Sequence, residues 1–176
     1  MSRIEELRGL SSPDGRGGIP EISLVVTLYN ELETLPELYR RIAETMAAYG
    51  RPYELLLVDD GSRDGTFDLV REIHAGDPHV RAVRFKRNFG QHPAMHAGLA
   101  RARADIIVTL DGDLQNQPED IPKLVGAVES GYDVASGRRA ARHDSWGRTL
   151  PSRLINGMLR RFTRVDISDF GCAFNA

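Results

Sequence analysis

Ile106-Ile107-Val108-Thr109-Leu110-Asp111-Gly112-Asp113-Leu114-Gln115 is an apolar, β-branched run that stops at two carboxylates and an amide. The run reads as a buried strand, and the Asp-Gly that ends it as the start of a turn. A buried strand that stops at D-x-D brings both carboxylates out together at a sheet edge, where a hard divalent cation can sit. Magnesium usually takes only one or two protein carboxylates and completes its octahedron with water and substrate phosphate oxygens. The motif therefore suits a nucleoside-diphosphate complex better than an all-protein metal cage. Asp and Gly are also common turn formers, so the motif alone fits an acidic turn equally well.

Outward from this strand the chain alternates strand and helix patterns. Ile22–Leu28 is a continuous apolar run, and Leu35, Leu38, Ile42 and Met46 then recur at helical spacing within Thr34–Tyr49, with Thr34 as capping candidate and Pro36 near the first turn. Tyr53–Val58 predicts a strand, Thr66–Ala75 a helix, Val80–Phe85 a strand, and His92–Arg103 a helix with Met95, Leu99 and Ala102 on its apolar face. Asp105–Leu110 is the strand already described. Pro118–Ser130 predicts a helix with Ile121, Leu124, Val125 and Val128 on one side, and Asp133–Ser136 a short strand. Such β-α alternation predicts an α/β domain with a Rossmann-like, mostly parallel central sheet flanked by helices, because parallel strands need crossover connections.

In such folds ligands bind outside the carboxyl ends of the strands, at the switch point in strand order. The polar motifs fall there: Tyr29-Asn30-Glu31, Asp59-Asp60-Gly61-Ser62, Arg87-Asn88-Phe89-Gly90 and Asp111-Gly112-Asp113. Each has a plain alternative. Asp59 through Thr66 also fits a turn leading into a helix cap, Asn88-Phe89-Gly90 fits a helix-entry loop, and His92 and His96 read more readily as surface histidines than as bases. No G-x-G-x-x-G follows the first strand and no G-x-x-x-x-G-K-[ST] occurs, which disfavours dinucleotide oxidoreduction and a P-loop nucleotidase.

The 176 residues fit one globular domain, 21–176, preceded by a Gly/Ser/Pro-rich leader that predicts a flexible arm over 1–20. One cysteine, Cys172, excludes an internal disulfide and a Cys-based zinc pattern. No run reaches transmembrane length, and the polar start lacks a signal-peptide core. The net charge is only −2, but Arg138, Arg139, Arg142, Arg148, Arg153, Arg160, Arg161 and Arg164 stand against the single acid Asp144 in 138–164, a region expected to attract anions. Within it Leu154, Ile155, Met158, Leu159 and Phe162 share a helical face flanked by Arg153, Arg160 and Arg161. That pattern fits a helix lying in a membrane interface or one packed on the sheet. Few aromatics are interleaved with the basic residues, so nucleic-acid binding is disfavoured.

Taken together, Val25-Val26-Thr27-Leu28-Tyr29-Asn30-Glu31, Val58-Asp59-Asp60-Gly61-Ser62-Arg63-Asp64-Gly65-Thr66, Asn88-Phe89-Gly90-Gln91-His92 and Leu110-Asp111-Gly112-Asp113-Leu114-Gln115 stand in the order and spacing of family 2 glycosyltransferases of the GT-A fold. Within that family the chain resembles the polyprenyl-phosphate glycosyltransferases, a group that includes dolichol-phosphate mannose synthases, bactoprenol glucosyltransferases and undecaprenyl-phosphate 4-deoxy-4-formamido-L-arabinose transferases. Gly90-Gln91-His92, Leu114-Gln115-Asn116, Arg142-His143-Asp144-Ser145-Trp146 and Ser152-Arg153-Leu154-Ile155-Asn156 look like segments of the last group. The resemblance runs from about Ile22 to the end. It has departures: Thr27 and Gln117 stand where the family usually has proline, Gly112 where it has alanine, and Asn175 where an arginine is expected after Asp169-Phe170-Gly171-Cys172. The membrane region that family members carry beyond this point is not in the sequence, which reads as a fragment or a shortened homologue.

The resemblance implies inverting transfer of a sugar from a nucleotide-diphosphate sugar, by resemblance a uridine one, to a polyprenyl phosphate at the inner face of the cytoplasmic membrane. It places the base and ribose near Tyr29, Glu31, Asp59, Asp60 and Asn88. It places Mg2+ or Mn2+ on Asp113 and Gln115 with Asp111 assisting, and the acceptor phosphate near Arg139 and Arg153. Two other readings stay open. A soluble family 2 enzyme acting on a saccharide hydroxyl would use Asp144 or Asp169 as base. A catalytically silent module would bind the nucleotide sugar without turnover.

Overall fold

The structure, a computed structural model, describes residues 19–137 and Ala176. Four parallel strands, β1 (Ile22–Leu28), β2 (Tyr53–Asp59), β3 (Val80–Arg84) and β4 (Ile106–Asp111), form a sheet in the order β3-β2-β1-β4. Helices α1 (Leu35–Tyr49), α2 (Thr66–Gly76), α3 (Gln91–Leu99) and α4 (Ile121–Glu129) alternate with them, α4 entered through a 3-10 turn at Pro118–Asp120. The order reverses direction between β1 and β4, so a switch point lies at their carboxyl ends.

β1 and β2 are buried along their whole length, as strands covered on both faces must be. Leu24, Val26 and Leu28 of β1 and Leu55 and Leu57 of β2 pack with Leu38, Ile42 and Met46 of α1, Val70 and Ile73 of α2, and Ile121 and Val125 of α4. The alternate residues Val25, Leu56 and Val58 face the other way, against Ala94 of α3. Among the described residues, three helices therefore cover one face and α3 the other.

The predicted elements stand, with several differences at their edges. Thr34 occupies the N-cap of α1 but makes no side-chain cap bond; its hydroxyl donates instead to the Glu31 carbonyl at 3.2 Å. α3 ends at Leu99 rather than Arg103, and its buried residues are Ala94 and Gly98, while Leu99 is exposed. A close approach to the sheet explains this. A Cβ on Gly98 would stand 2.3 Å from Val25 Cγ1 and 3.2 Å from Val58 Cγ2, so only a hydrogen fits. In place of the expected strand at Asp133–Ser136 there is an isolated bridge residue, Ser136, and a reciprocal pair of backbone hydrogen bonds between Ala135 and Ala176. Of the expected N-terminal arm only Ile19, exposed, and Pro20, buried, are described.

Candidate active site

Two loops at the carboxyl ends of β1 and β2 are tied together. The Asn30 amide donates to Ser62 Oγ at 2.9 Å, the Glu31 amide to Thr66 Oγ1 at 2.9 Å, the Leu32 amide to Asp64 Oδ2 at 3.1 Å, and the Arg63 amide to Asn30 Oδ1 at 3.0 Å. The small polar residues of Asp59–Thr66 thus satisfy backbone groups of Asn30, Glu31 and Leu32. Burial pushes the Asp64 carboxyl up, but the Thr66 hydroxyl and the Thr66 and Leu32 amides outweigh it and hold the group below its ordinary range. Asn30 sits at φ 57, in the left-handed region that asparagine tolerates better than most residues.

Asp59 and Asp60 play different parts. Asp59, the last residue of β2, is fully buried; its carboxylate accepts from the Ser62 amide at 3.2 Å and lies 3.7 Å from Arg84 Nε. Asp60 is 3% exposed, and its two oxygens accept from the Phe89 and Gly90 amides, each at 2.8 Å. Asp60 therefore fixes the β3–α3 loop against the end of β2.

These loops enclose a cleft of about 270 Å³ beneath the ends of β1 and β4. Thr27, Leu28, Tyr29 and Glu31 line it from β1, Asp60 from β2, Asn88, Gly90, Gln91 and Ala94 from the β3–α3 side, and Asp111, Gly112 and Asp113 from β4. Asp111 Oδ1 accepts from Gln91 Nε2 and lies 3.5 Å from Thr27 Oγ1. Asp113 is exposed and accepts the Gln115 amide at 3.0 Å, a turn made possible by Leu114 at φ 60. For a bulky residue this is a sparsely populated conformation, costing on the order of 1–3 kcal/mol and characteristic of functional loops.

Of the residues expected at the site, Tyr29, Glu31, Asp60, Asn88, Asp111 and Asp113 line this one cleft, whereas Asp59 and Gln115 do not; His92 and His96, read as surface histidines, are exposed and do not line it. Arg139 and Arg153, the basic amphipathic segment, Asp144 and Asp169 lie outside the described residues. Sequence reasoning passed over Gln91 as a partner of Asp111, although the Gly90-Gln91-His92 match was visible. It also offered no reason for Gly112, noted only as standing where the family has alanine. A Cβ there would meet Leu28 Cδ2 at 2.7 Å and Glu31 Cγ at 3.1 Å, so the alanine usual in the family would require side chains at the cleft wall to move.

Residues 23–176 match the domain described as glycosyl transferase family 2. The chain belongs to glycosyl transferase family 2. The chain is 44% identical over 159 residues to the undecaprenyl-phosphate 4-deoxy-4-formamido-L-arabinose transferase of Proteus mirabilis (strain HI4320), a match covering 90% of this chain and 49% of that protein. It thus spans about half the length of that relative. Among solved structures, S. aureus TarS 1–349 superposes with a TM-score of 0.54 at 18% identity, over 71% of this chain and 38% of that one. The same protein in complex with UDP-GlcNAc gives 0.52 at 21%, over 69% and 37%. These likenesses show a shared fold, the α/β arrangement predicted by the β-α alternation and, in its GT-A form, implied by the family resemblance.

Among the described residues, no three His, Cys, Asp or Glu side chains gather into a cage that could hold a metal ion. The oxygen donors of Asp111 and Asp113 on one cleft are a different kind of site. They fit a hard divalent cation that takes its remaining ligands from water and a nucleotide diphosphate. Among the described residues no helix is long and apolar enough to cross a membrane.

Proposed function

We propose that this domain transfers a sugar, with inversion, from a nucleotide-diphosphate sugar to a polyprenyl phosphate presented at a membrane surface. The observation that carries the reading is the convergence of Tyr29, Glu31, Asp60, Asn88, Asp111 and Asp113 on one cleft at the switch point of the sheet. The 44% identity to a transferase named for undecaprenyl phosphate supports the acceptor class.

In this reading the nucleoside lies along the β1 and β2 ends. Tyr29, 46% exposed at the rim, offers an aromatic face, while Glu31 and Asp60 offer carboxylate acceptors to a ring N–H or ribose hydroxyl. Asp60 already holds the loop bearing Asn88 and Gly90, so its main contribution is to keep that wall of the cleft in place before the donor arrives. Asp59, tied to Ser62 and Arg84, supports the floor from beneath.

The diphosphate lies toward the end of β4, where Asp111 and Asp113, with Gln115 beside them, would hold Mg2+ or Mn2+. A bound cation there supplies Lewis-acid neutralisation of the negative charge on the departing diphosphate. Gln91 fixes the Asp111 carboxylate, and the turn at Leu114 sets Asp113 at the cleft mouth. The acceptor needs no strong base, because the second pKa of a phosphate monoester lies near 6 and the nucleophile is largely ionised at neutral pH. It needs cations for positioning, and Arg139 and Arg153 are the residues proposed for that on the family resemblance.

The test is incubation with radiolabelled UDP- and GDP-sugars and undecaprenyl phosphate, with and without manganese, followed by organic extraction. Metal-dependent label in the organic phase is the expected result. Label transferred to a saccharide hydroxyl instead would replace the acceptor, and nucleotide-sugar binding with no turnover would reduce the domain to a binding module.

A further inference from the structure

Beside the donor cleft lies a second concavity, of about 410 Å³, lined by Gly61, Ser62, Arg63, Arg84, Phe85, Lys86 and Arg87. Among the described residues its lining holds four cations and no carboxylate. The acids at the end of β2 and in the loop after it are already engaged: Asp59 lies 3.7 Å from Arg84 and accepts the Ser62 amide, Asp60 accepts the Phe89 and Gly90 amides, and Asp64 accepts from Thr66 and Leu32. Arg63, Arg84, Lys86 and Arg87 are all exposed. Arg84 stacks over Phe67 at 4.5 Å and Arg87 over Phe89 at 4.8 Å, which holds two guanidinium groups on aromatic faces. The Phe89 ring is 52% exposed and meets Phe85 edge-on, so an apolar ring stands out of the same rim as the cations.

The concavity and the donor cleft share a wall. A Cβ on Gly61 would stand 2.4 Å from the Arg87 carbonyl carbon, so the β2–α2 loop and the β3–α3 loop are in backbone contact there. On the far side of that contact Asp60 holds the Phe89 and Gly90 amides, and Asn88 and Gly90 line the donor cleft. The residues of one short loop thus face both spaces.

We propose that this basic concavity is a docking site for the phosphate groups of anionic membrane lipids, with Phe89 entering the headgroup region beside it. The inference rests on the reading of the acceptor as a lipid phosphate, which requires the strand-end face to approach a bilayer. Exposed lysines and arginines beside an exposed aromatic ring are the chemistry that such a surface attracts, through charge within a Debye length and shallow apolar burial. The lining supplies several separate cations rather than a single closed pocket, which matches many weakly held headgroups better than one tightly held solute.

The test is co-sedimentation with phosphatidylglycerol-containing and with purely phosphatidylcholine vesicles at low salt, comparing the parent chain with the double variant Arg63→Gln, Lys86→Gln. The arginines of 138–164 are present in both, so the comparison isolates the concavity. Each cation near an anionic surface is worth about 1 kcal/mol, or about 5-fold. The variant is therefore expected to partition roughly 30-fold less onto the anionic vesicles, with neither chain binding the neutral ones. Its UDP affinity by calorimetry is expected to stay within about two-fold of the parent's, since neither residue lines the donor cleft. Unchanged partition in the variant overturns the proposal. So does calorimetric binding of glycerol phosphate to the parent but not the variant without vesicle binding, because the site would then serve a soluble phosphate ester. A UDP affinity that falls in step with vesicle binding also overturns it, by making the concavity part of the donor site. Partition that depends on Arg63 and Lys86 while no sugar reaches a lipid acceptor leaves the docking site standing and sinks the acceptor reading alone.

Discussion

Replacing Asp60 with alanine removes the acceptor of two backbone amides at once. Both the Phe89 and Gly90 N–H groups reach its carboxylate at 2.8 Å, and the carboxylate is almost wholly buried. Hydrogen bonds to a charged group contribute about 1.5–3 kcal/mol each, and the lower figure applies here because the loop itself is partly open to water. The anchoring is then worth about 3 kcal/mol in total, an amount that need not appear in full because the two bonds share one group. If the loop must be ordered again each time the donor binds, that cost falls on affinity, and UDP should bind about 10- to 150-fold more weakly. Asp60→Asn keeps one oxygen but turns an NH2 toward the other amide, so an intermediate loss is expected. The assay is titration calorimetry with UDP, paired with urea unfolding to separate a loosened loop from a lost fold. An Asp60→Ala protein with the parent's UDP affinity and the parent's urea midpoint would refute the reasoning, since it would mean that the loop does not depend on this carboxylate.

Two other outcomes concern the scaffold. Gly98→Ala forces a methyl into Val25, an overpacking cost of about 1–3 kcal/mol, and should lower the urea midpoint with little change in slope; an unchanged midpoint would mean that α3 lies farther from the sheet than described. Glu54 is buried at the opposite end of the strands and accepts from Ser23 Oγ at 2.7 Å, the Arg103 amide and Nε at 2.7 Å each, and Arg81 Nη1 at 2.8 Å. Burial raises its pKa, but these donors outweigh burial and hold it below the ordinary range. Its stabilisation is therefore complete above the unfolded pKa of about 4.3 and is lost as pH falls through the lower folded value. Glu54→Gln should cost about 1–3 kcal/mol at neutral pH and flatten the acid limb of a stability–pH curve; a limb as steep as the parent's would assign it to other carboxylates.

The strands and the cleft were legible because their signals are local. Ile22–Leu28 and Tyr53–Asp59 are apolar runs that only a sheet covered on both faces can bury, and the four strand-end motifs had to meet wherever the carboxyl ends of parallel strands meet. The buried face of α3 was not legible, because periodicity weighs side chains and the close contact is made by Gly98, which has none. The division of labour between Asp59 and Asp60 could have been read from strand alternation. Asp59 shares the face of Leu55 and Leu57, whereas Asp60 follows Val58 to the side of α3. Gln91 escaped because its partner, Asp111, is twenty residues away, and only the fold brings them together. The cluster on Glu54 likewise draws Ser23, Arg81 and Arg103 from separate segments, which no spacing rule connects.

The central claim is that the carboxylates at the end of β4 hold a nucleoside diphosphate through a divalent cation. Titration calorimetry with UDP and with GDP, in manganese and in chelator, on the parent and on Asp113→Ala and Asp120→Ala, tests it most directly. The expected result is binding of one nucleotide by the parent in manganese, loss of that binding in chelator, the same loss in Asp113→Ala whatever the metal, and parental behaviour in Asp120→Ala, whose carboxylate pairs with Lys123 away from the cleft. Equal affinities with manganese and with chelator, or an Asp113→Ala protein that binds as the parent does, would contradict the account.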